Sequence, residues 1–284
     1  MREESIITHS FCCFDGIDHD QERELWRSGI HDWGHFREAG SLPVNPDLVP
    51  YIRRQIQEAT EAWLTDDIVF FARRFRRYDY WRLYPLSVQS ATAYVDIETT
   101  GLDPRRHHIT TICLYDGSRC LSFVHGRNLE EFVQAIANYR VIVTYNGYRF
   151  DLPFITHHLG VRFDDFIHVD LQPVLYRHGF RGGLKKCEKQ LGLDRGALTD
   201  ISGLQAIELW KFYRRGMPEA LETLLAYNEL DVINLQILFW KIYQHMLTRL
   251  PLNQDKLGYP PPEIAGTRFA PSRNVLAQLS NQPI

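Results

Sequence analysis

The chain has 284 residues, of which 44% are hydrophobic and 24% charged, with a formal net charge of −3. These are the proportions of an ordinary globular protein, so wholesale disorder is not expected, and the length allows one sizeable core with appendages or two small domains. No apolar run approaches the roughly 20 residues of a membrane span, and a slightly acidic chain is not one that coats DNA non-specifically.

The cysteines (Cys12, Cys13, Cys113, Cys120 and Cys187) are odd in number and include no C-x-x-C pair, so neither a zinc knuckle nor a disulfide framework is expected. The opening stretch MREESIITHSFCCFDG lacks a basic head followed by an apolar segment. No signal peptide is therefore expected, and the reading is of a cytoplasmic protein with no membrane contact. Only six of the 32 basic residues are lysine. Arginine's rigid fork suits bidentate phosphate contacts, although codon usage in a GC-rich genome gives the same excess.

Three zones follow along the chain. Residues 1–88 read as a helical N-terminal region. The pairs Gly16-Ile17 and Gly29-Ile30, with Glu22, Leu25 and Trp26 between them, predict two short helices joined by tight turns. After Pro43 and Pro46, the spacing of Leu48, Ile52, Ile56, Ala59 and Trp63 predicts a longer helix. Thr65-Asp66-Asp67 then looks like an N-cap for a helix that ends in the run Arg73-Arg74-Phe75-Arg76-Arg77.

Residues 89–250 alternate strands and helices. Strands are predicted at 93–97, 109–115 and 120–124 as an antiparallel meander, followed by a helix over 129–139. The apolar run 141–143 suits a strand buried on both faces. A helix begins near Asp151, a strand returns at 166–171, and the remainder is mostly helical. A meander followed by βα units implies an α/β domain with a mixed sheet. Residues 251–284 form a proline-containing tail with little periodicity, expected to wrap the surface or stay mobile.

Three short stretches of the middle zone carry chemistry. In Asp96-Ile97-Glu98-Thr99-Thr100-Gly101-Leu102, residues two apart on a strand share a face, so two carboxylates stand side by side while Ile97 enters the core. Such a pair is unfavourable unless a cation neutralises it. In Asn146-Gly147-Tyr148-Arg149-Phe150-Asp151, the aspartate falls just beyond the buried strand, at a helix start. There it serves either the helix dipole or a site. In Tyr227-Asn228-Glu229-Leu230-Asp231, the spacing places Tyr227 and Asp231 on one helix face, continued by Leu224 and Leu235. A tyrosine and an aspartate on the inner side of a helix need polar partners.

In this order the stretches resemble the three motifs of DEDD exonucleases, over roughly residues 91–239. Position 226, where the histidine subtype would place its base, is Ala226, so the chain resembles the tyrosine subtype through Tyr227. A closer resemblance is to the YprB-type ribonuclease-H-like domain. It is carried by Val169-Asp170-Leu171, Gly183-Leu184-Lys185, Leu191-Gly192-Leu193 and the approach Trp81-Arg82-Leu83-Tyr84-Pro85. More loosely, the glycine–isoleucine pairs resemble the helical hairpin that precedes that domain, with Asp15 where proline is usual.

The resemblance implies a ribonuclease-H-like mixed sheet flanked by helices and a 3′–5′ exonuclease acting on DNA or RNA that offers a 3′ end. It implies two divalent cations, Mg2+ or Mn2+, roughly 3.5–4 Å apart. Asp96 would bridge them, Glu98 and Asp231 would complete one site, and Asp151 would hold the other. Tyr227 would orient the attacking water. Thr99, Gly101, Leu102 and Asn146 would border the substrate. Asp170 reads as a structural acid. His107-His108 and His157-His158 read as surface residues, having no companion at metal spacing. The segment Arg177 to Lys189 either tracks a phosphate backbone or is a solvated helix face. Two other readings share the fold: a nucleic-acid-binding module with a silent site, and an endonuclease of the ribonuclease H superfamily.

Overall fold

The structure is a computed structural model and describes residues 4–280. Contacts divide the chain into two units, Met1–Ser90 with Phe239–Pro261, and Ala91–Leu238 with Pro262–Ile284.

The first unit opens with the two predicted short helices. Helix α1 (His19–Arg27) starts at Asp18, whose carboxylate accepts the Asp20 and Gln21 N–H groups, while the Gln21 side chain accepts the Asp18 N–H in return. This reciprocal cap fixes the helix start and leaves Leu25 and Trp26 buried. Gly29 turns the chain at φ +83° into α2 (Trp33–Glu38), capped by Asp32. Helix α3 (Val49–Leu64) buries Ile52, Ile56, Ala59 and Trp63, as their spacing predicts. Asp67 caps α4 (Ile68–Arg74); Thr65 instead bonds back to the Glu61 carbonyl at 3.1 Å. Helix α5 (Tyr84–Ser87) closes this stretch.

The second unit is built on a five-stranded mixed sheet flanked by helices, the α/β class the sequence predicts. Strands β1 (Thr92–Thr99), β2 (Ile109–Tyr115) and β3 (Cys120–Val124) form the meander. After α6 (Phe132–Ile136), strand β4 (Val141–Thr144) pairs parallel to β1. Helix α7 (Asp151–Leu159) leads to β5 (Ile167–Asp170), parallel to β4, and the strand order is β3-β2-β1-β4-β5. The predicted helix over 129–139 is shorter, a 3-10 turn followed by α6. Asn138 ends it by donating its amide to the Gln134 and Ala135 carbonyls at 3.1 and 3.2 Å.

Strand β1 is central, and its alternation sorts the unit. Ala93, Val95 and Ile97 join one core with Phe132, Ile136, Phe154 and Ile155. Tyr94, Asp96 and Glu98 therefore face the opposite side. Helices α8 (Leu171–Arg177), α9 (Leu184–Gln190) and α10 (Gly203–Arg214) follow, then the long α11 (Pro218–Leu247). A second core gathers Leu209, Trp210, Leu221, Leu224 and Leu225. Beyond Leu250 the chain forms α12 (Gln254–Leu257), which belongs to the first unit, and α13 (Arg273–Ser280), which belongs to the second; neither is marked in the sequence. Val275 and Leu279 of α13 bury their side chains in the second core. No helix among the described residues is long and apolar enough to cross a membrane.

Candidate functional site

The β1 strand delivers Asp96 and Glu98 to the same face, and α11 delivers Asp231. One oxygen from each of the three carboxylates lies within 4.8 Å of the others. Asn228, one helical turn before Asp231, ties helix to strand. Its Nδ2 donates to Asp96 Oδ2 at 2.8 Å, and its Oδ1 accepts from Thr111 Oγ1 at 3.0 Å. Thr111 is itself the β2 register partner of Glu98. The sequence reading did not single out Asn228, although it stands next to Tyr227 in the same motif.

Asp151 is the first residue of α7 and is buried. Its Oδ1 accepts the Ile97 N–H at 3.2 Å, so it is pinned to β1 between the two strand acids. The turn that delivers it depends on three local features. Asn146 takes φ +64°, a Cβ on Gly147 would sit 2.2 Å from Thr144 Oγ1, and Asp170 accepts the Asn146 and Tyr148 N–H groups at 2.7 and 3.2 Å. Asp170 also accepts the Gln172 N–H at 3.0 Å, which accounts for it as a structural acid capping α8.

Tyr227 is 5% exposed, and cations approach its ring: Lys185 Nζ lies 4.9 Å and Arg195 Cζ 5.2 Å from the centroid. Arg195 is buried. It donates through Nη1 to both oxygens of Glu188, at 2.8 and 2.6 Å, and through Nη2 to Asp231 Oδ1. Asn234 donates to Glu188 Oε1 at 2.9 Å. None of Arg195, Glu188 and Asn234 was foreseen. No periodicity links Arg195, in a loop, to an aspartate on α11; the only trace was Lys185 and its neighbours in the basic segment.

Burial comes first among the causes that push the Asp96 and Glu98 carboxyls well above the usual range, followed by the charges of Asp231 and Asp151. Burial also raises Asp151, to about 7, against the backbone N–H bonds that favour its charge. Burial and the nearby Asp231 push the Tyr227 phenol well up, so its hydroxyl keeps its proton. Desolvation lowers Lys185, with the Arg195 charge adding to it. For Arg195, burial opposes the charge, but Asp231 and Glu188 outweigh it and the net shift is upward.

Of the residues expected to border substrate, Thr99 is buried and donates its hydroxyl to the Gly101 carbonyl at 2.6 Å. A Cβ on Gly101 would meet the His107 ring at 2.5 Å, so a larger residue here would have to displace that ring. Leu102 at its tip is 83% exposed. Asn146 serves through its backbone, in the turn before Asp151. Two further groupings of potential ligand atoms occur among the described residues, with other commitments. Glu229, beside Cys113 and Cys120, accepts from Arg268 and Ser122, while His19, beside Cys12, bonds Asp79 at 2.9 Å.

The sequence profile of the RNase H superfamily matches residues 93–243. A comparison with curated proteins finds none that matches. Among solved structures, the chain is similar to the family B DNA polymerase of Pyrobaculum calidifontis, at 20% identity and a TM-score of 0.42 over 56% of this chain and 28% of the polymerase. It is also similar to a structure described as the apo form of a nuclease, at 23% identity and a TM-score of 0.40 over 56% of this chain and 74% of that one. NrnC of Brucella melitensis bound to pGG gives 16% identity and a TM-score of 0.30 over 56% and 86%. The chain thus spans little more than a quarter of the polymerase.

Proposed function

The chain belongs to the RNase H superfamily, and from that premise we propose that it is a divalent-cation-dependent 3′–5′ exonuclease of the tyrosine subtype, acting on DNA or RNA in the cytoplasm. One observation carries the reading: oxygens of Asp96, Glu98 and Asp231 converge within 4.8 Å, with Tyr227 one turn from Asp231 on the same helix.

The donor set fits hard cations. It is all oxygen, as Mg2+ and Mn2+ prefer. The carboxyl groups of Asp96, Glu98, Asp151, Asp231 and Glu188 outnumber the cationic side chains Arg195 and Lys185 among them, and burial raises four of the five, so a bound cation would favour their charged forms. Asp96, Glu98 and Asp231 would hold one cation, and Asp151 with Asp96 a second. Bound there, two cations would acidify the attacking water and stabilise the leaving oxygen.

The chain's own residues supply the geometry. Asn228 fixes Asp96 by donating to its Oδ2, which restrains that carboxylate from rotating. Asp151 cannot drift from the strand, because Ile97 holds it. The protonated Tyr227 hydroxyl orients the attacking water and does not itself remove a proton as a phenolate. Half-buried Lys185 offers a cation to the scissile phosphate. Thr99 and Gly101 border the terminal nucleotide with Asn146, and exposed Leu102 supplies an apolar wedge.

The test is a panel of labelled DNA and RNA oligonucleotides with either end blocked, incubated with magnesium, manganese, zinc or excess chelator. Mononucleotides released from free 3′ ends are expected with magnesium or manganese, little with zinc, and none with chelator. Internal fragments from end-blocked substrates, or full activity in chelator, overturn the reading.

A further inference from the structure

Arg195 lies buried in the loop after α9, and a buried guanidinium is costly unless its donors are matched. Its Nη donors divide between two acids, while Nε has no hydrogen-bond partner among the described residues. Nη1 is shared by the two oxygens of Glu188, and Nη2 goes to Asp231 Oδ1. Glu188 is anchored in turn by Asn234, which stands one turn after Asp231 on α11. The chain Asn234–Glu188–Arg195–Asp231 therefore leaves α11, crosses to α9 and its loop, and returns to α11. All four side chains are buried, so each orientation is set by its partner and not by solvent.

We propose that Arg195 is the positioning residue that sets Asp231 for cation binding, with Glu188 and Asn234 holding the guanidinium in place. One oxygen of Asp231 is occupied by the arginine, so the other is what the residue has to offer beside Asp96 and Glu98. This makes Asp231 a one-oxygen ligand of fixed rotamer. Without the arginine, Asp231 is free to turn both oxygens toward the cluster or away from it. Partners of this kind, which hold a ligand without touching the metal, typically contribute about 10–100-fold in metal affinity. The arginine's fork matters as well as its charge, since a lysine ammonium cannot bond two carboxylates in one plane.

The inference rests on the cation-site reading, and the experiment separates the two. Mn2+ binding is measured by calorimetry, alongside thermal unfolding, for the wild type, Asp96→Asn, the pair Glu188→Gln/Arg195→Met, and Arg195→Lys. The pair removes one negative and one positive charge, so the net charge of the site is unchanged. The amide that replaces the Glu188 carboxylate keeps an oxygen to accept from Asn234. Replacing a buried ion pair as a whole is often close to neutral for stability. The expected result is a folded protein whose Mn2+ affinity is about 10–100-fold weaker. Arg195→Lys, which keeps the charge and loses the fork, is expected to weaken Mn2+ binding as well, and carries the test should the pair variant not hold its fold. Wild-type Mn2+ affinity in whichever folded variant is measured overturns the proposal. A wild type with no Mn2+ binding that Asp96→Asn removes overturns the cation-site reading, and the inference with it.

Discussion

Two buried arginines, one in each unit, make opposite use of the same side chain. Arg82 of the first unit donates to Glu22 at 2.7 and 3.1 Å and to Ser10 Oγ at 2.6 Å. Glu22 also accepts the Phe11 and Cys12 N–H groups at 2.7 and 3.0 Å. One cation meets one anion, and backbone groups close the set. Arg195 of the second unit meets two acids, with Asp96, Glu98 and Asp151 around them. The first arrangement matches charge for charge, with only Arg82 Nε lacking a hydrogen-bond partner among the described residues, and holds a core together. The second leaves acids in excess of cations, and a buried excess of acids is what a divalent cation can use.

The contrast predicts opposite signs for stability. The largest effect is expected at the site acids. Asp231→Asn and Asp96→Asn should each reduce cleavage by at least about a thousandfold, roughly 4 kcal/mol of transition-state stabilisation. In chelator, Asp96→Asn should melt no lower than wild type, because a repelling charge is gone. Wild-type turnover in either would remove the acids from the mechanism.

Tyr227→Phe keeps the ring and loses the hydroxyl. Turnover should fall about 10²–10⁴-fold with KM near normal, since water orientation matters mainly in the transition state. Steady-state kinetics check this, and a change within about twofold leaves Tyr227 a packing residue.

Breaking the charge-matched pair should act on the fold alone. Arg82→Met leaves Glu22 charged and buried, and is expected to cost about 3–5 kcal/mol by denaturant titration. Glu22→Gln/Arg82→Met should recover most of it. A single-variant loss below about 1 kcal/mol would erase the contrast.

Proton linkage gives a smaller test of the same idea. Burial and neighbouring acids raise Asp96, Glu98 and Asp151 in the folded state, Asp151 to about 7. Unfolded carboxyls titrate near about 4. The folded protein therefore binds these protons more tightly, so their contribution to stability in chelator is fully present below about pH 4 and is lost as pH rises through about 7. Added Mn2+ should flatten the fall. Melting curves that do not change over this range would mean the acids are not held against one another.

The weakest effect is expected at the arginine run of the first unit. Arg74 is engaged with Glu58 at 3.6 Å and lies over the Phe70 ring, whereas Arg73, Arg76 and Arg77 are exposed. Reversing those three charges should weaken nucleic-acid binding modestly and lower its salt slope. An unchanged slope assigns the run to packing.

Where a few neighbouring residues decide the outcome, the sequence was sufficient. Alternation along β1 separates Ile97 from Asp96 and Glu98, and a helical repeat brings Tyr227 to the same side as Asp231, because strand and helix periods act within a few residues. The meander strands 109–115 and 120–124 were legible for the same reason. Helix α13 was not, since the core that Val275 and Leu279 enter, with Leu276 packed against it, is made largely by α10 and α11.

What tertiary structure alone decided is how the acids are held. The Asn228 bond to Asp96, the pinning of Asp151 by Ile97, and the bonds from Arg195 to Asp231 and from Asn234 to Glu188 all join residues far apart in the chain. Composition and spacing name the groups able to bind a cation. Only the packing of α9 and α11 determines which carboxylate oxygen an arginine has already taken.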